Sequence, residues 1–209
     1  MTTFQPDTLG GRLPLVDLAE LTDDQKGLFD LLSNTLVAWA KSVDVQAATD
    51  DGRLIGPFNP ALYSPAISAK FIELQMFEPL HTSLNERVRQ VVVLAVGAVW
   101  RADYELYAHS AAARKAGISE DAVTALANGE IPDELSDEEK IAGRVARQLC
   151  LDHRVDDALY GEAEKAFGRK GLVDVAALIG AYHGVCTTLT MFNIAAPPKP
   201  HLSKRSTTR

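Results

Sequence analysis

An acidic side chain and an imidazole stand four residues apart near the middle of this 209-residue chain. They are Glu105 and His109, in the amphipathic part of a stretch that covers residues 85–117. On an α-helix, this spacing places both side chains on one face and within contact distance. The same face carries small residues, namely Ala102, Ala112, Ala113 and Ala116. The pattern therefore predicts two titratable groups on the closely packed side of a helix, where each perturbs the pKa of the other.

Such a pair can hold a proton between carboxylate and imidazole, and general acid–base catalysis uses side chains positioned in this way. Two structural explanations stay open from spacing alone: an exposed pair one helical turn apart, and a core histidine with satisfied ring nitrogens. A metal site is a further alternative, in which Glu105 and His109 would bind an ion together with His183. Metal sites in helical bundles use such a Glu/His motif twice. Because the motif occurs once here, we predict no bound metal.

Composition and charge narrow the class of protein. Hydrophobic residues make up 46% and charged residues 23%, as in ordinary globular domains. The net charge of −7 argues against a nucleic-acid partner, because phosphates would not be neutralised. No signal peptide is expected, and Cys150 and Cys186 stand alone in sequence, which favours reduced thiols and a cytoplasmic protein. The apolar residues 172–196 include Asp174 and His183, which favours a helix buried in protein over a membrane span.

The chain divides into one domain with two extensions. We predict a flexible N-terminal arm of residues 1–11, a single domain of residues 12–198, and a disordered basic tail of residues 199–209. Within the domain, residues 44–59 are rich in Gly, Asp and Pro. A loop of this length inside a compact domain is usually functional or mobile.

Signals for helices follow one another along the domain. Thr22 to Gln25 and Ser136 to Glu139 are capping boxes, and the first of these is expected to open a helix that reaches Trp39 or Ser42. The valine-rich residues 91–99 resemble a buried strand, but no second β-rich run is present to pair with them. The sequence therefore predicts an all-α helical bundle.

A helix is also predicted to begin at Ser64-Pro65, where a capping residue precedes a proline. We expect this helix to bury four apolar side chains: Ile67, Phe71, Leu74 and Phe77. At the end of the central stretch, Gly117 supplies the left-handed residue that commonly terminates a helix.

The segment Trp100-Arg-Ala-Asp-Tyr-Glu-Leu-Tyr-Ala-His109, followed by Ala-Arg-x-Ala-Gly117-Ile-Ser, resembles the carboxymuconolactone decarboxylase family. The superfamily also contains alkylhydroperoxidase D. Weaker matches in the same order extend the resemblance over most of residues 12–198: Arg12-Leu-Pro14, Gly56-Pro57-Phe58, residues 84–94 and Asn193. The resemblance implies an alkylhydroperoxidase D-like helical bundle, a homo-oligomer (trimer or hexamer), and an active site around the Glu/His helix near a subunit interface.

The chain departs from the peroxidase branch of that superfamily at the motif. That branch carries a Cys-x-x-Cys pair seven and four residues before the histidine, where this chain has Ala102 and Glu105. The relay glutamate expected nineteen residues before the histidine is Gln90. Thiol peroxidase chemistry needs a low-pKa thiolate and a resolving thiol. We therefore keep a peroxiredoxin-like alkylhydroperoxidase only as the weakest alternative.

The decarboxylase branch is similar to this chain at the motif, with a glutamate four residues before the histidine and no cysteines. The resemblance implies a carboxy-lyase-like enzyme related to 4-carboxymuconolactone decarboxylase. It would act on a small unsaturated or lactone carboxylic acid, such as a lactone from aromatic-compound catabolism. His109 would be the acid, with Glu105 orienting it or acting as partner base. No cofactor is expected, since neither a phosphate-binding glycine loop nor a nucleotide fingerprint is present.

Six further residues are candidates for contact with the substrate. Hydrogen-bond donors are expected from Tyr104, Arg101, Gln90 and Asn193; Arg12 could hold a carboxylate, and Phe58 could line the pocket. For each of them a structural role is the alternative, because buried polar groups usually satisfy their own protein. The other class of function left open is a non-catalytic, oligomeric ligand-binding protein with the same pocket.

Overall fold

The computed structural model describes residues 9–198, and residues 1–8 of the predicted arm and the tail of residues 199–209 lie outside the described residues. Within residues 9–198 the regular secondary structure consists of α-helices, one short 3-10 helix and a single isolated β-bridge. The predicted all-α class is confirmed. The helices are α1 (Asp23–Asn34), α2 (Leu36–Ser42), α3 (Phe58–Tyr63), α4 (Pro65–His81), α5 (Glu86–Trp100), α6 (Asp103–Lys115), α7 (Glu120–Ala127), α8 (Asp137–Asp152) and α9 (Asp157–Met191).

The two capping boxes begin helices where the sequence predicts them. Thr22 and Gln25 exchange hydrogen bonds at the start of α1, and Ser136 and Glu139 do so at the start of α8. The expected continuous first helix is wrong, since the helix breaks at Thr35 (φ −124°, ψ −90°). There the Thr35 hydroxyl donates to the carbonyl of the preceding turn at 2.5 Å, a local bond that competes with regular helix.

Helix α5 is the central element of the bundle. Every residue from 88 to 97 is buried, and the helix contacts α6, α7, α8 and α9. The valine-rich run is therefore a buried helix, as predicted. Arg101, in the left-handed region (φ 51°), ends α5, and the chain turns at once into α6. Helix α6 ends before Gly117, whose φ of +86° confirms the predicted stop.

Helix α9 packs along α5 and α8 and is interrupted at Gly168, where φ is 62° and ψ is 178°. Among the described residues, it is the helix long and apolar enough to cross a membrane by length and composition alone. Its second half contributes Leu178, Cys186 and Leu189 to the hydrophobic core. These contacts are those of a core helix.

Helix α4 lies at the surface, and its predicted burial is wrong. Among its residues only Ile72 is fully buried, whereas Ile67, Leu74 and Phe77 are exposed. The helix meets the bundle through the opposite edge, where Ile72 joins the core and Phe71 packs against it. Because α4 is apolar on nearly all sides, the edge that faces the core did not stand out in its sequence.

The loop before α3 is fastened to α6. The hydroxyl of Tyr104 donates to the carbonyl of Gln46 at 2.8 Å. Gly56 has a φ of +63°, and a Cβ atom at this position would lie 2.3 Å from the ring of Tyr104. Only glycine satisfies both the backbone conformation and this close approach.

Replacing Gly56 by Ala should lower the free energy of unfolding by about 2 kcal/mol or more, because overpacking and a strained positive φ act together. Urea denaturation followed by circular dichroism measures the change. Gly27→Ala is the control, since nothing lies within 4 Å of a Cβ there. Gly27 is an exposed position within α1, so the control should gain about 0.5–1 kcal/mol. Equal stabilities of the two variants would contradict the close-approach argument.

Candidate active site

Glu105 and His109 lie side by side in the interior of the bundle. The two side chains are nearly inaccessible, with 3% and 5% of each residue exposed. The distance between Oε1 of Glu105 and Nε2 of His109 is 3.2 Å. Gly97 of α5 allows the close approach of the two helices, since a Cβ there would lie 3.4 Å from Cγ of Glu105. The alternative of an exposed pair is therefore excluded.

The other nitrogen of the imidazole is held by α5. Nδ1 of His109 lies 2.9 Å from Oε1 of Gln90, and the amide nitrogen of Gln90 donates to Glu86 at 2.7 Å. Glu86 is also paired with Arg89, which keeps it an acceptor. The amide of Gln90 must then present its oxygen to the ring, so that Nδ1 carries the hydrogen. In the uncharged imidazole, Nε2 is left without a proton and faces Glu105.

Burial controls the ionisation of the pair. Burial raises the pKa of Glu105 to about 8. Burial, and secondly the charge of Arg89, lowers the pKa of His109 to about 3. Both shifts favour the uncharged form, so at neutral pH the site holds a carboxylic acid beside a neutral imidazole.

Oε1 of Glu105 is a buried oxygen without a hydrogen-bond partner among the described residues. A carboxylic-acid proton on this atom would point to the bare Nε2 of His109, so the acid form accounts for the 3.2 Å contact. Glu105 and His109 both line a cavity of about 60 Å³. A small molecule in this cavity would therefore lie next to the pair.

Two aromatic side chains that the sequence did not reveal enclose the imidazole. The ring centroid of Trp39 lies 5.5 Å from that of His109, and the ring of Tyr182 stands edge-on at 4.9 Å. They come from α2 and α9, far from the motif in sequence. Their types alone carry no signal for this position, since only the packing of the bundle brings them here.

A larger, mainly apolar cavity of about 280 Å³ adjoins the small one. The two cavities are neighbours because they share five lining residues: Leu36, Pro57, Phe58, Gln75 and Val185. The larger one is bordered by α3, α4 and the second half of α9. Together they offer room for a small organic molecule with one end at the pair.

Three of the six candidate contact residues lie at the pair. Gln90 bonds to His109, and Tyr104 lines the small cavity with its hydroxyl engaged by the loop. Burial raises the pKa of Tyr104 well above its usual range, so it is a neutral phenol. Phe58 is buried and lines both cavities.

The structure does not bring the other three candidates to the pair. Arg12 is exposed, and its guanidinium donates to the carbonyl of Met191 at 2.8 Å, at the end of α9. Arg101 and Asn193 line a separate cavity of about 110 Å³ near the turn between α5 and α6. Both have left-handed backbone (φ 51° and 52°) because each ends a helix. These positions depart from the predicted contact with substrate.

His183 faces a different part of the core. Its Nδ1 accepts a hydrogen bond from the indole of Trp100 at 3.1 Å, and the sulfur of Cys150 is 4.0 Å away. Within residues 9–198, no group of three or more His, Cys, Asp or Glu side chains is placed to hold a metal ion. The three-ligand arrangement with Glu105 and His109 is therefore absent from the described residues.

Solved structures share the fold of this chain. A peroxidase-related protein from Ralstonia eutropha JMP134, described as an alkylhydroperoxidase AhpD core, superposes with a TM-score of 0.69 at 16% identity, covering 90% of this chain and 93% of that one. A peroxidase-related protein from Silicibacter sp. TM1040 superposes with a TM-score of 0.66 at 15% identity, covering 96% of this chain and 97% of that one. The debrominase Bmp8 in complex with 2,3,4-tribromopyrrole superposes with a TM-score of 0.62 at 13% identity, covering 92% of each chain. The fold is the AhpD-like helical bundle.

A match to a family model covers a narrower part of the chain. Residues 65–148 match the model of the carboxymuconolactone decarboxylase family. The matched segment runs from the start of α4 into α8 and contains Glu105 and His109. The resemblance drawn from the sequence is confirmed over this segment. Comparison with curated protein sequences gives no match.

The protonation of the pair predicts how stability depends on pH. The raised pKa of Glu105 means that the folded chain retains a proton that the unfolded chain releases above its usual pKa of 4.5. The stability associated with this group is therefore full below pH 4.5 and is lost as pH rises towards 8.

Glu105→Gln, which mimics the carboxylic acid, should escape this loss. Its free energy of unfolding relative to wild type should rise by about 1.4 kcal/mol per pH unit between pH 5 and pH 8. Chemical denaturation of both proteins at four pH values measures the slope, and His109 is present in both. A slope near zero would contradict the retained proton, because it would mean that Glu105 is ionised beside an uncharged imidazole in the folded protein.

Proposed function

We propose that the chain is a cofactor-independent lyase of the carboxymuconolactone decarboxylase type. In this proposal the Glu105–His109 pair transfers a proton on a small unsaturated or lactone substrate. The observation that supports it most directly is the buried contact of 3.2 Å between Oε1 of Glu105 and the unprotonated Nε2 of His109, in a pair that lines the small cavity. An acid and a base, both uncharged and shielded from water, are suited to proton transfer at carbon.

The tautomer suggests the roles of the two groups. Glu105 carries the proton and would act as the acid, whereas Nε2 of His109 would act as the base, which reverses the roles expected from the sequence. A shift of a double bond takes one proton from the substrate to His109 and returns one from Glu105. Transfer from Nε2 back to Oε1 then restores the pair. Decarboxylation instead releases carbon dioxide and consumes the proton of Glu105, which water must replace.

Thiol chemistry finds no support at this site. Positions 102 and 105, which hold the cysteine pair in the peroxidase branch, are alanine and glutamate. Cys150 and Cys186 are buried, and burial raises the pKa of both thiols. A thiol with a raised pKa is a poor nucleophile towards peroxide. The peroxidase descriptions of the neighbours therefore do not extend to this chain in our proposal.

Hydrogen exchange at carbon tests the proposal without requiring the physiological substrate. α-Angelica lactone, muconolactone and 4-carboxymuconolactone are incubated with the protein in deuterium oxide and followed by proton NMR, which also detects decarboxylation. We expect at least one compound to exchange or react, with a rate that falls about 100-fold or more in Glu105→Gln and in His109→Asn.

The matched control for this experiment is the double variant Cys150→Ala, Cys186→Ala, which should keep the wild-type rate. Circular dichroism establishes that each variant is folded. Absence of reaction with all three compounds would contradict the proposed function and favour a binding protein. Loss of activity in the double cysteine variant would contradict the acid–base assignment.

We also propose that the chain assembles as a homo-oligomer, the trimer or hexamer that the resemblance implies. Helix α4 supports this because Ile67, Phe77 and Leu80 are 74%, 63% and 75% exposed on one helix. Several large exposed apolar side chains on one helix are typical of protein–protein contacts. The second copy would shield an edge that the bundle itself leaves open.

The double variant Phe77→Glu, Leu80→Glu should sediment as a monomer under conditions in which wild type sediments as an oligomer, because charges cannot be buried in an apolar contact without a partner. Analytical ultracentrifugation measures both. Leu151→Glu, at another exposed apolar position on α8, is the control and should keep the oligomer. An unchanged sedimentation coefficient in the double variant would contradict an interface at α4.

A further inference from the structure

The walls of the two adjacent cavities lack a positive charge. Among the described residues, neither cavity is lined by lysine or arginine, and the titratable groups that reach them are Glu105, His109 and three tyrosines. The first two form the uncharged pair. Arg12, which was expected to hold a carboxylate, and Arg101, which was expected to donate a hydrogen bond, lie elsewhere. A carboxylate in these cavities would lose its hydration without an ionic partner, which is strongly unfavourable.

One amide at the boundary between the cavities has no hydrogen-bond partner within residues 9–198. Gln75 of α4 is half-buried and lines both cavities, and its side chain makes no hydrogen bond to any residue of the described part of the chain. An amide offers two donor hydrogens and an acceptor oxygen but no charge. It therefore matches a neutral carbonyl group rather than an ion.

We propose that this site takes a neutral, largely apolar carbonyl compound, and that Gln75 selects it by donating a hydrogen bond to the carbonyl oxygen. The apolar body of the ligand occupies the cavity of about 280 Å³. Its conjugated carbon then reaches the cavity of about 60 Å³, which Glu105 and His109 line. The reacting end of this arrangement rests on the proposed function in its double-bond-shift form, since decarboxylation needs a carboxylate, but the preference for a neutral ligand does not require turnover.

A matched pair of ligands tests the preference. Methyl cinnamate and cinnamate share a conjugated carbonyl and an apolar ring and differ in charge at neutral pH. Isothermal titration calorimetry with wild type at pH 7 should show that the ester binds at least about tenfold more tightly than the acid. Absence of ester binding, or equal affinity for the two compounds, would overturn the proposal.

Substitution of Gln75 makes the test specific to this wall. Gln75→Leu should weaken ester binding about tenfold, because the carbonyl loses its donor. Gln75→Lys should reverse the preference, so that the acid binds more tightly than the ester. Ala66→Lys adds the same charge at an exposed position of α4 and should leave the preference unchanged. The proposal is overturned if Gln75→Lys keeps the preference for the ester, or if Ala66→Lys reverses it as well.

The binding experiment separates this inference from the proposed function. Glu105→Gln should retain the preference for the ester, because it keeps an uncharged side chain at the pair. Preferential ester binding together with no hydrogen exchange would leave the inference standing and remove the enzymatic proposal. Hydrogen exchange on muconolactone, combined with tight binding of cinnamate, would support the enzymatic proposal and overturn the inference of a neutral ligand.

Discussion

The unfavourable free energy of placing a carboxyl group and an imidazole out of contact with water governs the centre of this bundle. Either group, if charged, would lose its hydration. The structure avoids this by keeping both uncharged and by letting them share one proton across 3.2 Å. The surroundings serve the same end. Gln90 fixes the hydrogen on Nδ1, while Arg89 and Glu86 keep their charges paired with each other, one step away from the ring.

The parts of the fold that could be predicted from sequence are those encoded within a few residues. The capping boxes at Thr22 and Ser136 are hydrogen-bond patterns that close over three positions, and the stop at Gly117 needs one residue with a positive φ. The contact between Glu105 and His109 is also encoded locally, since one turn of helix brings the two side chains together. For these features, local geometry is sufficient, and the tertiary structure agrees with it.

The rest of the site depends on which helices pack together, and a single sequence does not state this. Trp39 and Tyr182 contact the imidazole, and Gln75 lines the cavity beside it. They come from three helices, and nothing in their sequence neighbours distinguishes them from ordinary core or surface residues. Conversely, Arg12 looked suited to hold a carboxylate, but its guanidinium is used by the end of α9. The predicted burial of α4 was wrong for a related reason. Apolar residues lie on nearly all sides of this helix, so its sequence does not indicate which side faces the core.

The pattern at positions 90 and 105 explains why the imidazole can stay neutral. In the peroxidase branch, from which the chain departs at the motif, the position of Gln90 holds a relay glutamate and the position of Glu105 holds a cysteine. Here the acid stands at the second position and faces Nε2, and an uncharged amide occupies the first and faces Nδ1. Carboxylates at both positions would place two negative charges around one buried ring and would draw a proton onto it. With glutamine at position 90, a single acidic proton remains beside a free Nε2. The pair can therefore pass a proton between its two members without either of them being charged when it is at rest.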